Sequence, residues 1–176
     1  MGKHNPEVCL IDLGCARNPL ECPDEWAFVD YAQGPEIIMG ICYDFCSDIF
    51  ALGVLLFEMW AGKHLFNDPS PTNRLAIMHR VLGPAPHEMI KKCSTVWFRE
   101  DNSPDIDPET QAYIDKDFAP LEEYIGMNGL PDPVFIDLIR KMWSYNYRER
   151  QLAPSFMEHE FFGGMADIYD CDEYYN

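Results

Sequence analysis

Between Ser47 and Gly62 the chain carries Ile49, Phe50, Leu52, Val54, Leu55, Leu56, Phe57, Met59 and Trp60. Wound into a helix, these side chains cover nearly the whole circumference. A helix that is apolar all round has no solvent face and belongs in the middle of a core. Its ends are marked as well: Ser47 suits an N-cap, Asp48 the positive end of the helix and Gly62 its C-terminus, so the expected span is 48–61. The stretch falls short of the ~20 residues that cross a bilayer and contains Glu58, so no transmembrane segment is expected. No targeting peptide is apparent either.

The remaining elements are read around this helix. Val8 to Leu13 is a short, mostly apolar run that fits a buried strand entering a turn at Gly14. Pro19, Cys22-Pro23-Asp24-Glu25 and Gln33-Gly34-Pro35 break any pattern across 15–36, which reads as a loop. A second helix starts after Ser70 with Pro71 in its first turn, carries Leu75, Met78 and Leu82, and stops at Gly83-Pro84. The segment 94–120 is polar and Pro-rich and is expected to be a long ordered insert or loop. A third helix opens with Asp132 as cap and Pro133 at its first position and carries Phe135, Leu138, Ile139 and Met142 as a stripe. A short last helix is expected from Pro154 to Phe162, ahead of an acidic, Tyr-rich tail. At 176 residues the chain is long enough for one core.

Thirteen Lys and Arg against 30 Asp and Glu leave a net charge of −17. That balance opposes binding to a phosphate backbone, which needs clustered cations, so no nucleic acid is expected as partner. Basic protein segments fit it; so does plain solubility of the surface. Seven cysteines (9, 15, 22, 42, 46, 93 and 171) make an odd count without a Cys-x-x-Cys pair, which reads as free thiols in a reducing compartment. Cys42 and Cys46 could meet on one helical face, but no His or second Cys pair stands at zinc-finger spacing, and no metal site is expected there.

Several motifs follow one another in a fixed order: Asp12-Leu13-Gly14, then Gly34-Pro35-Glu36, then Ser47-Asp48-Ile49-Phe50-Ala51-Leu52-Gly53, then Arg150 ahead of His159-Glu160-Phe161-Phe162. Together they resemble the second half of a eukaryotic protein kinase domain. The stretch from Leu75 to Lys92 is similar to the signature that names the LAMMER, or CDC-like, kinases, with Ile77 and His79 in place of the inner Met and the Glu. The pattern Gly83-Pro84-x-Pro86-x-x-Met89-Ile90-x-Lys92 after it also fits. The resemblance runs from about residue 5 to residue 162, leaving 163–176 as the tail. It implies a mainly α fold, the C-lobe of a protein kinase without the N-lobe.

The resemblance also assigns roles. Asp12 would hold magnesium against the phosphates of ATP. Glu36 would pair with Arg150, and Asp48 would accept hydrogen bonds from the backbone of the catalytic loop. The region 70–120, with Leu75, Met78, Arg80 and His87, would shape substrate docking. Taken alone, each has a plainer reading: Asp12 marks an ordinary turn, Glu36 and Arg150 are two unrelated charges, and Asp48 complements the helix dipole. In this family the Gly-rich loop, the strand Lys and the His-Arg-Asp loop lie upstream of the position of Asp12. No catalytic residue is therefore expected in this chain, which alone should be inactive and hold neither magnesium nor ATP.

Departures from the family point the same way. Its Ser-Thr-Arg-His-Tyr-Arg-Ala becomes Phe28-Val29-Asp30-Tyr31-Ala32-Gln33-Gly34, so the Thr that touches the catalytic Asp is Val29 and both Arg positions are lost. Tyr31 is the only hydroxyl between Cys15 and Glu36, which removes Ser/Thr phosphorylation from this segment. Two functions are expected. The chain is a C-lobe fragment or degenerate copy of a LAMMER-like serine/threonine, dual-specificity kinase, a family acting on Arg/Ser-rich proteins; or it is a non-catalytic module binding basic segments. Its partner would be a basic Arg/Ser-rich protein or a complementary kinase half, in the nucleus by resemblance or in the cytoplasm. In a complete kinase the central helix packs on elements that precede Asp12, so the isolated chain should be marginally stable and expose an apolar patch.

Overall fold

A computed structural model describes residues 8–16, 18, 30–41, 44–93, 97–124, 132–150 and 152–163. These form seven α-helices: α1 (Pro35–Ile38), α2 (Cys46–Ala61), α3 (Pro71–Leu82), α4 (His87–Ile90), α5 (Pro108–Asp117), α6 (Pro133–Met142) and α7 (Ala153–Phe156). Short 3-10 turns lie at Leu13–Cys15, Asp30–Ala32, Leu121–Tyr124, Tyr147–Glu149 and Glu160–Phe162. Among the described residues there is no β-strand, only an isolated bridge between Phe98 and Pro104.

The core assembles where α2 crosses α6. Gly53 makes the approach possible: a Cβ at this position would stand 2.9 Å from the indole nitrogen of Trp143 and 3.0 Å from the Met142 Cβ. Trp143 is buried, with the rings of Phe57 and Phe66 at 5.2 and 5.1 Å and that of Phe50 at 6.1 Å. Aromatic pairs at such spacings add to plain area burial. The α3 helix packs on α1 and α5, and it brings Leu75, Ile77, Met78 and Val81 into the same core. A smaller cluster of Ile49, Leu138, Met142 and Phe156 closes the opposite side of α2 and α6.

Helix starts follow local chemistry. The Ser70 hydroxyl accepts from the Asn73 amide, and the Asp132 carboxylate accepts from the Val134 amide, each ahead of a Pro in the first turn. The same device begins α5, where the Asp107 carboxylate accepts from the amides of Glu109 and Thr110. The segment 94–120, expected as an insert or loop, thus contains a helix. Only Ile114 of α5 is buried, so the element has no apolar stripe to announce it.

Four further expectations are corrected. The α2 helix starts at Cys46, and Ser47 is not its cap: it lies buried in the first turn, and the Cys46 amide is met by the Asp44 carboxylate at 2.8 Å. Nor is α2 enclosed. Phe45 and, within the helix, Leu52, Leu55 and Met59 are 62, 43, 52 and 74% exposed, and Asp48 is exposed between them, so positions 45, 48, 52, 55 and 59 form one open stripe. Third, Val8 to Leu13 is not a buried strand: Val8, Leu10 and Ile11 are more than 80% exposed, and no second strand pairs with them in the described residues. The last helix is also shorter than the expected span, ending at Phe156 before the turn at Glu160–Phe162. No helix among the described residues is long and apolar enough to cross a membrane.

Candidate functional site

Two residues 114 positions apart meet in the interior. The Arg150 guanidinium donates to both carboxylate oxygens of Glu36, at 2.6 and 2.7 Å, and neither side chain is exposed. A charge pair taken out of water is tolerated only when its other valences are filled, and here they are. Ser47 donates to Glu36 Oε1 at 2.7 Å, and Arg150 donates from Nε to the Ser144 carbonyl at 2.8 Å and from a terminal nitrogen to the Cys46 carbonyl at 3.3 Å. The guanidinium also lies over the Phe50 ring, 5.0 Å from its centroid. Cys46 closes the set by donating its thiol to the Arg150 carbonyl at 3.1 Å, and burial with the nearby Asp44 pushes that thiol up to about 11.

Elements that differ in sequence position supply these groups. Glu36 comes from the first turn of α1, Ser47 and Cys46 from the first turn of α2, and Arg150 from the residue after the 3-10 turn Tyr147–Glu149. Gly34 leaves room for the Glu36 carboxylate, whose oxygens lie 2.6 and 2.7 Å from where a Cβ would stand. The arrangement locks the entry to α1, the start of α2 and the loop before α7 into one unit. It offers no exposed nucleophile or proton donor.

A second tether lies beside it and has no counterpart in the motif reading. Arg74, 3% exposed, donates to the Asp68 carbonyl and to the Gln33 side-chain oxygen, both at 3.1 Å, with Asp30 at 3.9 Å. Burial lowers the affinity of its guanidinium for the proton, and the two aspartates oppose that shift. Gln33, which occupies one of the lost family Arg positions, is thus held from α3. The available signal is periodicity: Arg74 stands one helical turn before Ile77 and Met78 on the buried face of α3.

The other singled-out residues are placed as follows. Asp12 is exposed on a left-handed backbone turn (φ 60°), and no group of three or more His, Cys, Asp or Glu able to hold a metal occurs among the described residues. Magnesium at phosphoryl-transfer sites is held by one or two carboxylates completed by waters and substrate phosphates, so Asp12 could supply one ligand of such a site but not a protein cage for the ion. Asp48 lies in the first turn of α2, exposed, with its carboxyl raised by partial desolvation at the helix end. Leu75 and Met78, expected as docking residues, are 2 and 0% exposed and serve the core instead. Arg80 is partly exposed, donating to the Phe118 carbonyl at 3.1 Å, and His87 is at the surface, 3.1 Å from the Asn102 side chain. Val29, Cys42 and the tail after residue 163 lie outside the described residues.

A model of the family described as protein kinase domain matches residues 1–162 of the sequence. The chain belongs to the protein kinase family. Among this kinase chain's relatives, the dual specificity protein kinase CLK4 of Homo sapiens is 26% identical over 160 residues, 90% of this chain and 33% of that protein. CLK1 of Mus musculus is 27% identical over the same shares, and lkh1 of Schizosaccharomyces pombe is 25% identical over 163 residues, 89% of this chain and 24% of that protein. The kinase chain therefore spans about a third or less of the length of these CLK/LAMMER-type relatives (33 and 24%). A crystal structure of another kinase domain superposes with a TM-score of 0.72 at 20% identity, covering 86% of this chain and 46% of that one. That likeness carries the fold: a mostly helical, C-lobe-like part of a kinase domain.

Proposed function

We propose that the chain is the large-lobe part, or a degenerate copy, of a LAMMER-like dual-specificity serine/threonine kinase, and that alone it transfers no phosphate. The family reaction is ATP-dependent phosphorylation of Arg/Ser-rich proteins. The observation that carries the inactive half of the proposal is the sequence itself, in which the Asp-x-Gly carboxylate, Asp12, is present on an exposed turn without the catalytic-loop residues that the family places beside it. Phosphoryl transfer is almost entirely positioning and charge neutralisation of the phosphates, and the 176 residues contain no His-Arg-Asp loop to orient a substrate hydroxyl. Glu36, Arg150 and Ser47 would act by fixing the end of the activation segment against α2. Residence in the nucleus, with the cytoplasm as alternative, belongs to the same proposal.

The charge of −17 favours a second reading, capture of basic Arg-rich segments without catalysis. One experiment separates the two. The chain is assayed with magnesium, ATP and an Arg/Ser peptide, alone and joined to the upstream half of a relative such as CLK1. The first reading expects no transfer alone; in the joined protein, measurable transfer marks an intact large lobe, and no transfer without salt-sensitive peptide binding marks a degenerate copy. The second expects peptide binding that weakens steeply with salt and no transfer in either form. Transfer by the chain alone contradicts both.

A further inference from the structure

The Gly-Pro-x-Pro-x-x-Met-Ile-x-Lys stretch takes no part in the Glu36–Arg150 clamp, yet four of its residues, Pro86, Glu88, Met89 and Lys92, wall a cavity of about 450 Å3. Met89 and Lys92 line one side; Ile41, which follows α1, and Tyr145 and Tyr147, which follow α6, line the others. Volumes of ~300–1,000 Å3 with mainly apolar walls and a few polar groups are typical of small-ligand sites. The Tyr145 hydroxyl fixes its wall by donating to the Gly83 carbonyl at 3.0 Å.

The charges at the cavity are unevenly satisfied. Its two acids are engaged: Glu88 pairs with Lys91 at 3.1 Å, and Glu149 accepts from the Asn146 amide at 2.8 Å. Its two cations are not: Lys92 and Arg148 make no ion pair among the described residues, and Arg148 only packs 5.6 Å over the Tyr147 ring. Glu88 feels the Lys92 charge but spends its close contact on Lys91, so both cations keep donors free at the rim of the cavity, where charge-assisted hydrogen bonds to an anionic group can form.

We infer that this cavity binds a small amphipathic anion, with an aromatic or short alkyl body against Ile41, Met89 and Tyr145 and a carboxylate or phosphate head at Lys92 and Arg148. The wall continues into the clamp, since the turn Tyr147–Glu149 directly precedes Arg150 and the Ser144 carbonyl accepts from its guanidinium. An occupant therefore braces the loop that presents Arg150, and it stabilises the fold by mass action.

The test is a titration of the full chain with phenyl phosphate, phenylacetate and uncharged 2-phenylethanol, followed by ligand-observed NMR. Saturable binding of an anion is expected, with 2-phenylethanol about tenfold weaker. Lys92 and Arg148 are exposed, so the double variant Lys92→Glu/Arg148→Glu should fold, as circular dichroism would check, and lose about tenfold in anion affinity. Met89→Trp, which fills the cavity and keeps both charges, should weaken all three ligands. Tighter phenyl phosphate than phenylacetate identifies a phosphate head, and the reverse order a carboxylate. No saturable binding of either anion, equal binding of 2-phenylethanol, or undiminished affinity in the double variant would overturn the inference.

Discussion

Glu36 and Arg150 illustrate how strongly a buried residue depends on its partner. Removing one charge leaves the other uncompensated in the interior, a loss of about 3–5 kcal/mol, whereas replacing both by apolar groups of similar volume is far milder. Glu36→Leu or Arg150→Met should each cost about 3–5 kcal/mol in urea denaturation, and the double variant less than the sum. Equal and additive losses would mean that the pair is not coupled. Cys46 gives the pH signature. Burial favours its protonated thiol in the folded state, so that contribution is complete below the ordinary value near 9 and disappears as pH rises toward 11. Stability should accordingly fall across that window, and Cys46→Ser should flatten the fall. At pH 8 Cys46 should also resist iodoacetamide long after the exposed Cys9 and Cys15 have reacted, as mass spectrometry would show. Neither Glu36 nor Arg150 carries a local signal of its burial. What made them legible is the order of motifs around them; Arg74, with no motif, was missed.

The helices differ in how far their sequence specifies them. Those beginning Ser70-Pro71 and Asp132-Pro133 follow the expectation because a cap, a Pro and an apolar stripe agree. Asp107-Pro108 has the same cap chemistry but buries one side chain, so periodicity is silent and only the cap could have revealed α5. At the start of α2 the Ser47 hydroxyl is the hydrogen-bonding group that a cap would need, but tertiary proximity to Glu36 claims it. The run Val8 to Leu13 looks like a strand by composition, yet strands are stabilised by neighbours, and none is described beside it. The α2–α6 crossing gives a prediction at this scale. Gly53→Ala improves helix propensity by up to ~1 kcal/mol, but its Cβ would press on Trp143 and Met142. Overpacking of this kind costs about 1–3 kcal/mol, so the variant should be less stable by thermal denaturation, and a gain would mean that the two helices have slack.

At the scale of the molecule, α2 is half core and half surface. Its inner face holds Phe50, Val54 and Phe57, none of them exposed, while Phe45, Leu52, Leu55 and Met59 stand open in a stripe interrupted only by Asp48. The all-round apolar pattern was legible in the sequence, but its meaning depends on what surrounds the helix. In a complete kinase, elements ahead of the Asp-x-Gly motif cover such a helix, and here those residues are exposed. Covering four such side chains is worth about 1.5–3 kcal/mol each, comparable in sum with the ~5–15 kcal/mol net stability of a whole domain. The most direct measurement is thermal unfolding of the pure 176-residue chain in the presence of an apolar-surface dye, beside the variant Leu52→Glu/Leu55→Glu. A low, broad transition is predicted, with strong dye fluorescence before unfolding that the variant reduces. A sharp two-state transition with little dye binding would contradict the account of a kinase lobe with an uncovered central helix.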